Sequence, residues 1–263
     1  MTRQASRDGA SDLARYYDLD AIDLLDDLAL FLDFATTADG PILELGAGSG
    51  RLAVPLALAG HDIVCVDNDP AMLARAQHNW EARREDAGPG SLATALGDMR
   101  DFRSATRFGF VFIGINTMLL MPDDASRMAV LETAAANLAS GGLLVVDVLD
   151  RAADEIDDYD GRLQLEWLRT DPDTGEQVSK SISARHDAEA DTITLVQIFD
   201  TFPEGGGELR RVARTDILHL IDADRWQSLT ERAGFGDVSV KGDYLLSPHG
   251  ARSHRALIEA RLV

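Results

Sequence analysis

The segment that decides the fold is Glu44-Leu45-Gly46-Ala47-Gly48-Ser49-Gly50, in which three glycines alternate directly after a short apolar run. Residues 42–45 are apolar apart from the glutamate and predict a buried strand. A helix is predicted over about residues 51–58, so the glycines form the turn between a strand and a helix. Because glycine has no side chain, such a turn is expected to let backbone N–H groups approach a ligand closely.

The chain on the carboxyl side of this turn alternates between strands and helices. Helices are predicted at residues 71–84, after Pro70, and at residues 126–138, with Gly141 and Gly142 as the stop signal of the second helix. This alternation predicts parallel βαβ units with right-handed crossovers, and therefore an α/β fold with a doubly wound, mostly parallel sheet. The strands of this region are predicted at residues 61–67, 91–96, 108–115 and 143–149.

Two further regions flank this core. Apolar residues recur at helical spacing over residues 12–34 and predict one or two amphipathic helices, within a helical cap over residues 1–39. Period-two patterns between residues 160 and 220 predict an antiparallel β insertion of three or four strands. A helix at residues 222–233 and strands at 235–242 and 256–262 would then complete a seven-stranded sheet in a single domain over residues 1–263.

Composition excludes several classes of partner. The 263 residues carry a formal charge of −20, which repels polyphosphates and disfavours a nucleic-acid partner. No apolar run approaches the roughly 20 residues that span a bilayer, and no apolar segment follows the polar amino terminus, so we expect no membrane partner and a cytoplasmic location. The lone Cys65 and six scattered histidines predict neither a disulfide nor a metal site.

The acid two positions before the first glycine, followed by G-x-G-x-G, resembles motif I of class I S-adenosylmethionine-dependent methyltransferases. The resemblance implies S-adenosyl-L-methionine as cofactor, with Glu44 near its amino group and with Gly46, Gly48 and Gly50 admitting the methionyl and ribosyl part. A dinucleotide fingerprint would need a further glycine where Arg51 stands, so an NAD-dependent oxidoreductase is the weaker alternative.

Two more motifs follow in the order of that family. Asp67 ends the second predicted strand, where a carboxylate would accept the ribose hydroxyls; its alternative role is to cap the next helix, which Asn68 or Asp69 could do instead. Gly97-Asp98-Met99 resembles the acidic loop that receives the adenine ring. The same resemblance adds Arg51, Asn68 and Met72 to the cofactor-binding residues.

Residues near the reacting groups are less well defined by the sequence. Asn116 follows the fourth predicted strand and would contact the methionyl group or the substrate. Tyr16-Tyr17-Asp18 resembles the amino-terminal helix of small-molecule N- and O-methyltransferases, where a tyrosine closes over the sulfonium; ordinary core aromatics are the alternative. Tyr17 and Asn116 are therefore the catalytic candidates. The substrate-contact candidates are Tyr16, Tyr244 and His249.

The resemblance implies methylation of a small molecule on nitrogen or oxygen. Family members of this type often carry a histidine shortly after the asparagine, but residues 117–121 contain none. A neutral amine needs no strong base, so the missing histidine slightly favours nitrogen. By analogy with amino-sugar and glycine-type N-methyltransferases, the β insertion would form a lid or the face of a homodimer. A protein that binds the cofactor without turnover is the alternative.

Overall fold

The computed structural model describes residues 2–86, 88–153, 156 and 158–263. Helices and strands alternate through its first half, and strands dominate its second half. Short 3-10 helices lie at Arg84–Asp86 and Thr117–Leu120. In chain order the elements are α1 (Thr2–Ala21), α2 (Leu28–Thr36), β1 (Ile42–Leu45), α3 (Ala53–Leu58), β2 (Asp62–Asp67), α4 (Pro70–Glu81), β3 (Ser91–Leu96), β4 (Phe108–Ile113), α5 (Asp124–Asn137), β5 (Leu138–Leu149), β6 (Gln164–Thr170), β7 (Gln177–Asp187), β8 (Thr192–Phe202), β9 (Arg210–His219), α6 (Ala223–Arg232), β10 (Phe235–Lys241) and β11 (Arg255–Leu262).

Seven strands form the main sheet in the order β10-β11-β5-β4-β1-β2-β3. β1 pairs in parallel with β2 and β4, and the sheet continues in parallel to β3 and β5, while β11 is antiparallel to β5 and β10. All residues of β1 and β4 are buried, as expected for central strands of a sheet covered on both faces. The predicted doubly wound, mostly parallel seven-stranded sheet is confirmed.

The second sheet is antiparallel, with the order β6-β7-β8-β9, and it lies within the segment predicted as a β insertion. Its four strands match the upper end of the predicted number. Ile193 and Leu218 on one face of this sheet are buried in the core of the main sheet. The insertion is therefore packed against the carboxyl edge of the fold.

Helix α1 lies between α4 and the insertion sheet. Arg75 of α4 pairs with Asp18 of α1 at 2.5 Å, and Lys180 of β7 pairs with Asp20 of α1 at 2.6 Å. Asp18 thus connects α1 to α4, and Asp20 connects α1 to the insertion sheet. None of the described helices is long and apolar enough to cross a membrane.

One predicted boundary is wrong. Gly141 and Gly142 do not end α5, because the helix stops at Asn137 and β5 starts at the next residue. The buried side chain of Asn137 bonds to the carbonyl of Phe102 and to the N–H of Ser104, which fixes this helix end against the loop before β4. The ladder to β4 then begins at Leu138, ahead of both glycines.

Candidate functional site

A cavity of about 510 Å³ lies at the carboxyl ends of β1, β2 and β3, and we call it the glycine-turn cavity. Ligands bind at this edge of open α/β sheets because the loops there converge. The structure brings most of the predicted cofactor residues together around it. Those that line it are Tyr17, Gly46, Gly48, Asp67, Asn68, Met72, Asp98 and Met99.

The glycine turn forms part of the wall of this cavity through Gly46 and Gly48. Gly48 has a φ of +54°, and a Cβ there would stand 3.6 Å from the ring of Tyr17. The N–H groups of Gly46 and Ala47 both donate to the carbonyl of Val66, at 2.8 and 2.9 Å. The expectation that these N–H groups face a ligand is wrong, because they attach the turn to the end of β2 instead.

Asp67 is fixed by backbone donors. Its Oδ2 accepts from the N–H of Gly48 at 2.8 Å, and its Oδ1 accepts from the N–H of Asp69 at 2.9 Å. Each carboxylate oxygen can accept a further hydrogen bond, so Asp67 can still accept hydroxyl donors from the cavity. Asp69 caps α4 by accepting from the N–H of Ala71 at 2.8 Å, so the capping role does not fall to Asp67.

Asp98 supplies a second carboxylate to the cavity. The backbone N–H of Arg100 donates to Asp98 Oδ1 at 2.9 Å, and the guanidinium of Arg100 donates to both carboxylate oxygens. These hydrogen bonds lower the pKa of Asp98. The carboxylate is therefore ionised and available as an acceptor near neutral pH.

Glu44 is the third of the four residues of β1, just before the glycine turn, and only 4% of it is exposed. Its buried Oε2 has no hydrogen-bond partner among the described residues. Burial raises the pKa of Glu44 to about 8, although the charge of Arg51 lowers it. A buried acceptor without a hydrogen bond destabilises the folded protein by about 1–3 kcal/mol. A ligand whose cationic group donates a hydrogen bond to Glu44 would remove this cost.

Four predicted cofactor residues are not among the described residues that line the glycine-turn cavity, contrary to the sequence-based expectation: Glu44, Gly50, Arg51 and Asn116. The Arg51 guanidinium donates to both carboxylate oxygens of Asp27, at 2.7 and 2.6 Å, and to the carbonyl of Leu24. It therefore holds the loop between α1 and α2. A Cβ on Gly50 would lie 3.0 Å from Val54 and 3.2 Å from Ala76, so this glycine allows α3 and α4 to pack closely.

Neighbouring tyrosines of α1 have different surroundings. Tyr17 lines the cavity, and burial raises the pKa of its hydroxyl. Tyr16 is fully buried, its hydroxyl lies 2.6 Å from Thr201 Oγ1, and its ring stacks on Phe199. The predicted substrate contact of Tyr16 is therefore corrected to a packing contact between α1 and the insertion.

The other two predicted substrate residues, Tyr244 and His249, lie in the loop between β10 and β11 and contact carboxylates at the carboxyl end of β5. The Tyr244 hydroxyl donates to Asp147 Oδ2 at 3.1 Å, and His249 Nε2 lies 2.6 Å from Asp150 Oδ2. Neither residue lines the glycine-turn cavity. Their partners are buried carboxylates, so these contacts fix the loop between β10 and β11.

A second cavity, of about 290 Å³, lies between the ends of β4 and β5 and the inner face of the insertion sheet. Its lining is mainly apolar and includes Leu149, Ile182 and Leu195. Asn116 borders this cavity, whereas Thr117 lines the glycine-turn cavity, so the two cavities meet at this dipeptide. The Asn116 side chain accepts from the N–H of Leu149 at 2.7 Å, which orients it beside the second cavity.

Sequence reasoning missed Arg214 of β9, whose side chain also lines the glycine-turn cavity. Strand alternation could have placed Arg214 and Leu218 on one face. The sequence of β9 does not indicate which part of the fold the face that carries Arg214 and Leu218 packs against. Leu13, Arg100 and Thr117 also line the cavity and were not predicted, although Arg100 and Thr117 directly follow the predicted residues Met99 and Asn116.

Comparisons with known proteins agree with this architecture. Residues 42–142 match a family model described as a methyltransferase domain. A cypemycin N-terminal methyltransferase from a Streptomyces species is 25% identical over 228 residues, which cover 82% of this chain and 81% of the relative.

Solved structures share the fold. The CcbJ methyltransferase from Streptomyces caelestis superposes with a TM-score of 0.72 at 23% identity, over 90% of this chain and 95% of that one. The sugar N-methyltransferase KedS8 from a Streptoalloteichus species gives a TM-score of 0.72 at 17% identity, over 94% and 91% of the two chains. These likenesses confirm the predicted class I methyltransferase fold.

Proposed function

We propose that this chain, whose residues 42–142 match a methyltransferase-domain family model, transfers a methyl group from S-adenosylmethionine to an amine nitrogen of a small molecule. The observation that carries the proposal is a row of three carboxylates: Asp67 and Asp98 line the glycine-turn cavity, and Glu44 lies buried in β1, two residues before Gly46, with an unpartnered oxygen. An adenosyl amino acid presents an ammonium group, two ribose hydroxyls and an adenine amino group, and each is a donor.

Each carboxylate suits one of these donors. The unpartnered Oε2 of Glu44 accepts from the ammonium group, Asp67 accepts from the ribose, and Asp98 accepts from the adenine. A dinucleotide would instead place a pyrophosphate at the turn, where the N–H groups of Gly46 and Ala47 are already bonded to β2. These features support an adenosyl ligand over NAD.

The bound cofactor supplies a methyl group activated by its sulfonium. The ring of Tyr17 lies beside Gly48 and can stabilise such a cation, by about 0.5–2 kcal/mol. We place the acceptor in the second cavity, which adjoins the first at Asn116 and Thr117. Holding the acceptor there would position it for attack and exclude water, with the insertion as one wall.

Nitrogen is the proposed acceptor atom for two reasons. A neutral amine attacks without a strong base, and the described residues that line the second cavity include the carboxylates of Asp158 and Asp160 but no histidine. The relatives include a protein named as an N-terminal methyltransferase and a sugar N-methyltransferase. A hydroxyl acceptor would instead need a base close to the reacting oxygen.

The test is calorimetric titration with S-adenosylmethionine, S-adenosylhomocysteine and NAD, followed by incubation with matched primary amines and alcohols. We expect both adenosyl ligands to bind, NAD to bind far more weakly, and mass spectrometry to find methylated amines. Binding of NAD alone would overturn the proposal. Tight adenosyl binding without product from either series would favour a cofactor-binding protein without turnover.

A further inference from the structure

Arg214 belongs to the insertion sheet but lines the glycine-turn cavity. Along β9, Val212, Arg214, Asp216 and Leu218 are more buried than the residues between them. Leu218 packs into the main core, and Val212 packs against the cluster that contains Tyr16. Arg214 therefore lies on the inner face of the sheet, between α1 and the main core.

The cavity has two cations among its described lining residues, Arg100 and Arg214. The guanidinium of Arg100 is engaged with Asp98. Arg214 contacts Asp216 through Nε, at 2.7 Å. A guanidinium has five N–H donors, so the terminal nitrogens of Arg214 retain donors for another acceptor.

Arg214 acts at the end of the cavity that holds Tyr17. Burial raises the pKa of Tyr17, and the charges of Arg51 and Arg214 oppose that rise. Arg51 is already bound to both oxygens of Asp27. Arg214 is thus the cation beside Tyr17 that lines the cavity and retains donors on its terminal nitrogens.

We propose that Arg214 binds the carboxylate of the cofactor's methionine part, so that the insertion sheet contributes directly to the cofactor site. This inference rests on the proposed function. An adenosyl amino acid carries one carboxylate, and the row formed by Glu44, Asp67 and Asp98 would repel it. The guanidinium of Arg214 supplies the opposite charge at the end where Glu44 accepts the ammonium group.

The test compares two ligands that differ in the amino-acid part. S-adenosylhomocysteine carries the carboxylate, whereas 5′-methylthioadenosine keeps the nucleoside and lacks the amino acid. Arg214→Met should weaken binding of S-adenosylhomocysteine about tenfold or more, because a charge-assisted hydrogen bond is lost. Calorimetry should find the affinity for methylthioadenosine changed less than twofold.

Arg211→Met is the matched control on the same strand. Arg211 is exposed and pairs with Asp200, so its loss should leave both affinities unchanged. Arg214→Lys should recover part of the affinity for S-adenosylhomocysteine, because it restores the charge without the planar fork.

The outcomes separate this inference from the proposed function. If Arg214→Met lowers the affinity for both ligands equally, or for neither, Arg214 does not bind the carboxylate of the cofactor, and the proposed adenosyl binding is unaffected. If the unmodified protein binds neither ligand, the proposed function itself fails.

Discussion

The carboxylate of Asp67 accepts a hydrogen bond of 2.8 Å from the backbone N–H of Gly48, 19 residues earlier in the chain. The same carboxylate accepts from the N–H of Asp69 at 2.9 Å. These two bonds join the glycine turn to the end of β2 and hold the acid in place at the cavity. The orientation of Asp67 is thus set before any ligand arrives.

Asp67→Ala should weaken binding of S-adenosylhomocysteine about 100-fold or more. Two charge-assisted hydrogen bonds to the ribose are lost, each worth about 1.5–3 kcal/mol. Calorimetric titration measures the change. Asp62→Ala is the matched control, because Asp62 begins the same strand and bonds to Ser91 at the opposite edge. Equal losses in both variants would contradict the ribose role.

Cofactor binding should release a proton from Glu44 near pH 7. Its pKa is about 8 in the free protein, and a bound ammonium group favours the ionised form. Affinity should therefore rise between about pH 6.5 and pH 8.5. Titration in phosphate and Tris, whose ionisation enthalpies differ, measures the released proton. Glu44→Gln should abolish the release, and an unchanged release would exclude Glu44 as its source.

The same residue predicts how stability depends on pH. Because the pKa of Glu44 rises from 4.5 to about 8 on folding, the folded protein holds a proton that the unfolded chain loses. The contribution of Glu44 to the free energy of unfolding should fall as pH rises from 4.5 to 8 and level off above it. In urea unfolding at pH 8.5, the free energy of unfolding of Glu44→Gln should exceed that of the unmodified protein by a few kcal/mol. At pH 4 the two proteins should not differ in this way. A constant difference at both values would contradict the shift.

Asp27→Ala should lower the free energy of unfolding by about 3–5 kcal/mol, because it leaves the guanidinium of Arg51 buried without its carboxylate. Asp27 is 2% exposed and its side chain makes two hydrogen bonds to Arg51. Glu81→Ala is the control, since its pair with Arg84 is exposed and worth at most about 1 kcal/mol. Urea unfolding of the two variants should separate them clearly. Similar decreases in the free energy of unfolding in both variants would show that the buried pair of Asp27 and Arg51 stabilises the protein no more than the exposed pair.

Leu195→Trp should fill the second cavity and abolish methyl transfer while leaving binding of S-adenosylhomocysteine unchanged. Leu195 lines that cavity and is not among the described residues that line the glycine-turn cavity. Leu165→Trp is the control, because Leu165 is 68% exposed on the first strand of the insertion sheet. Full activity in Leu195→Trp would place the acceptor elsewhere.

Much of the fold could be predicted because its signals are local. The strand before Gly46 and the acids at positions 67 and 98 are encoded by short motifs next to strand ends. The roles of Arg51 and Tyr16 could not be predicted this way. Arg51 pairs with Asp27 and Tyr16 contacts Thr201, and both contacts depend on how the cap packs.

The second part of the site depends on tertiary packing alone. Alternation along β9 could place Arg214 on the same face as Leu218, but only the docking of the sheet decides that this face meets α1. Asn116 illustrates the same limit at a shorter range. Its position after β4 was predictable, whereas its side-chain bond to the N–H of Leu149 turns it toward the second cavity.

The clamping of α1 between α4 and the insertion sheet has a consequence for how the protein is made. Asp20 can pair with Lys180, and Tyr16 can contact Thr201, only after β7 and β8 have been synthesised. The glycine-turn cavity also needs Arg214 for its wall. On the ribosome the parallel strands emerge before the insertion sheet, and the wall of the glycine-turn cavity is incomplete until the strand that carries Arg214 has been translated.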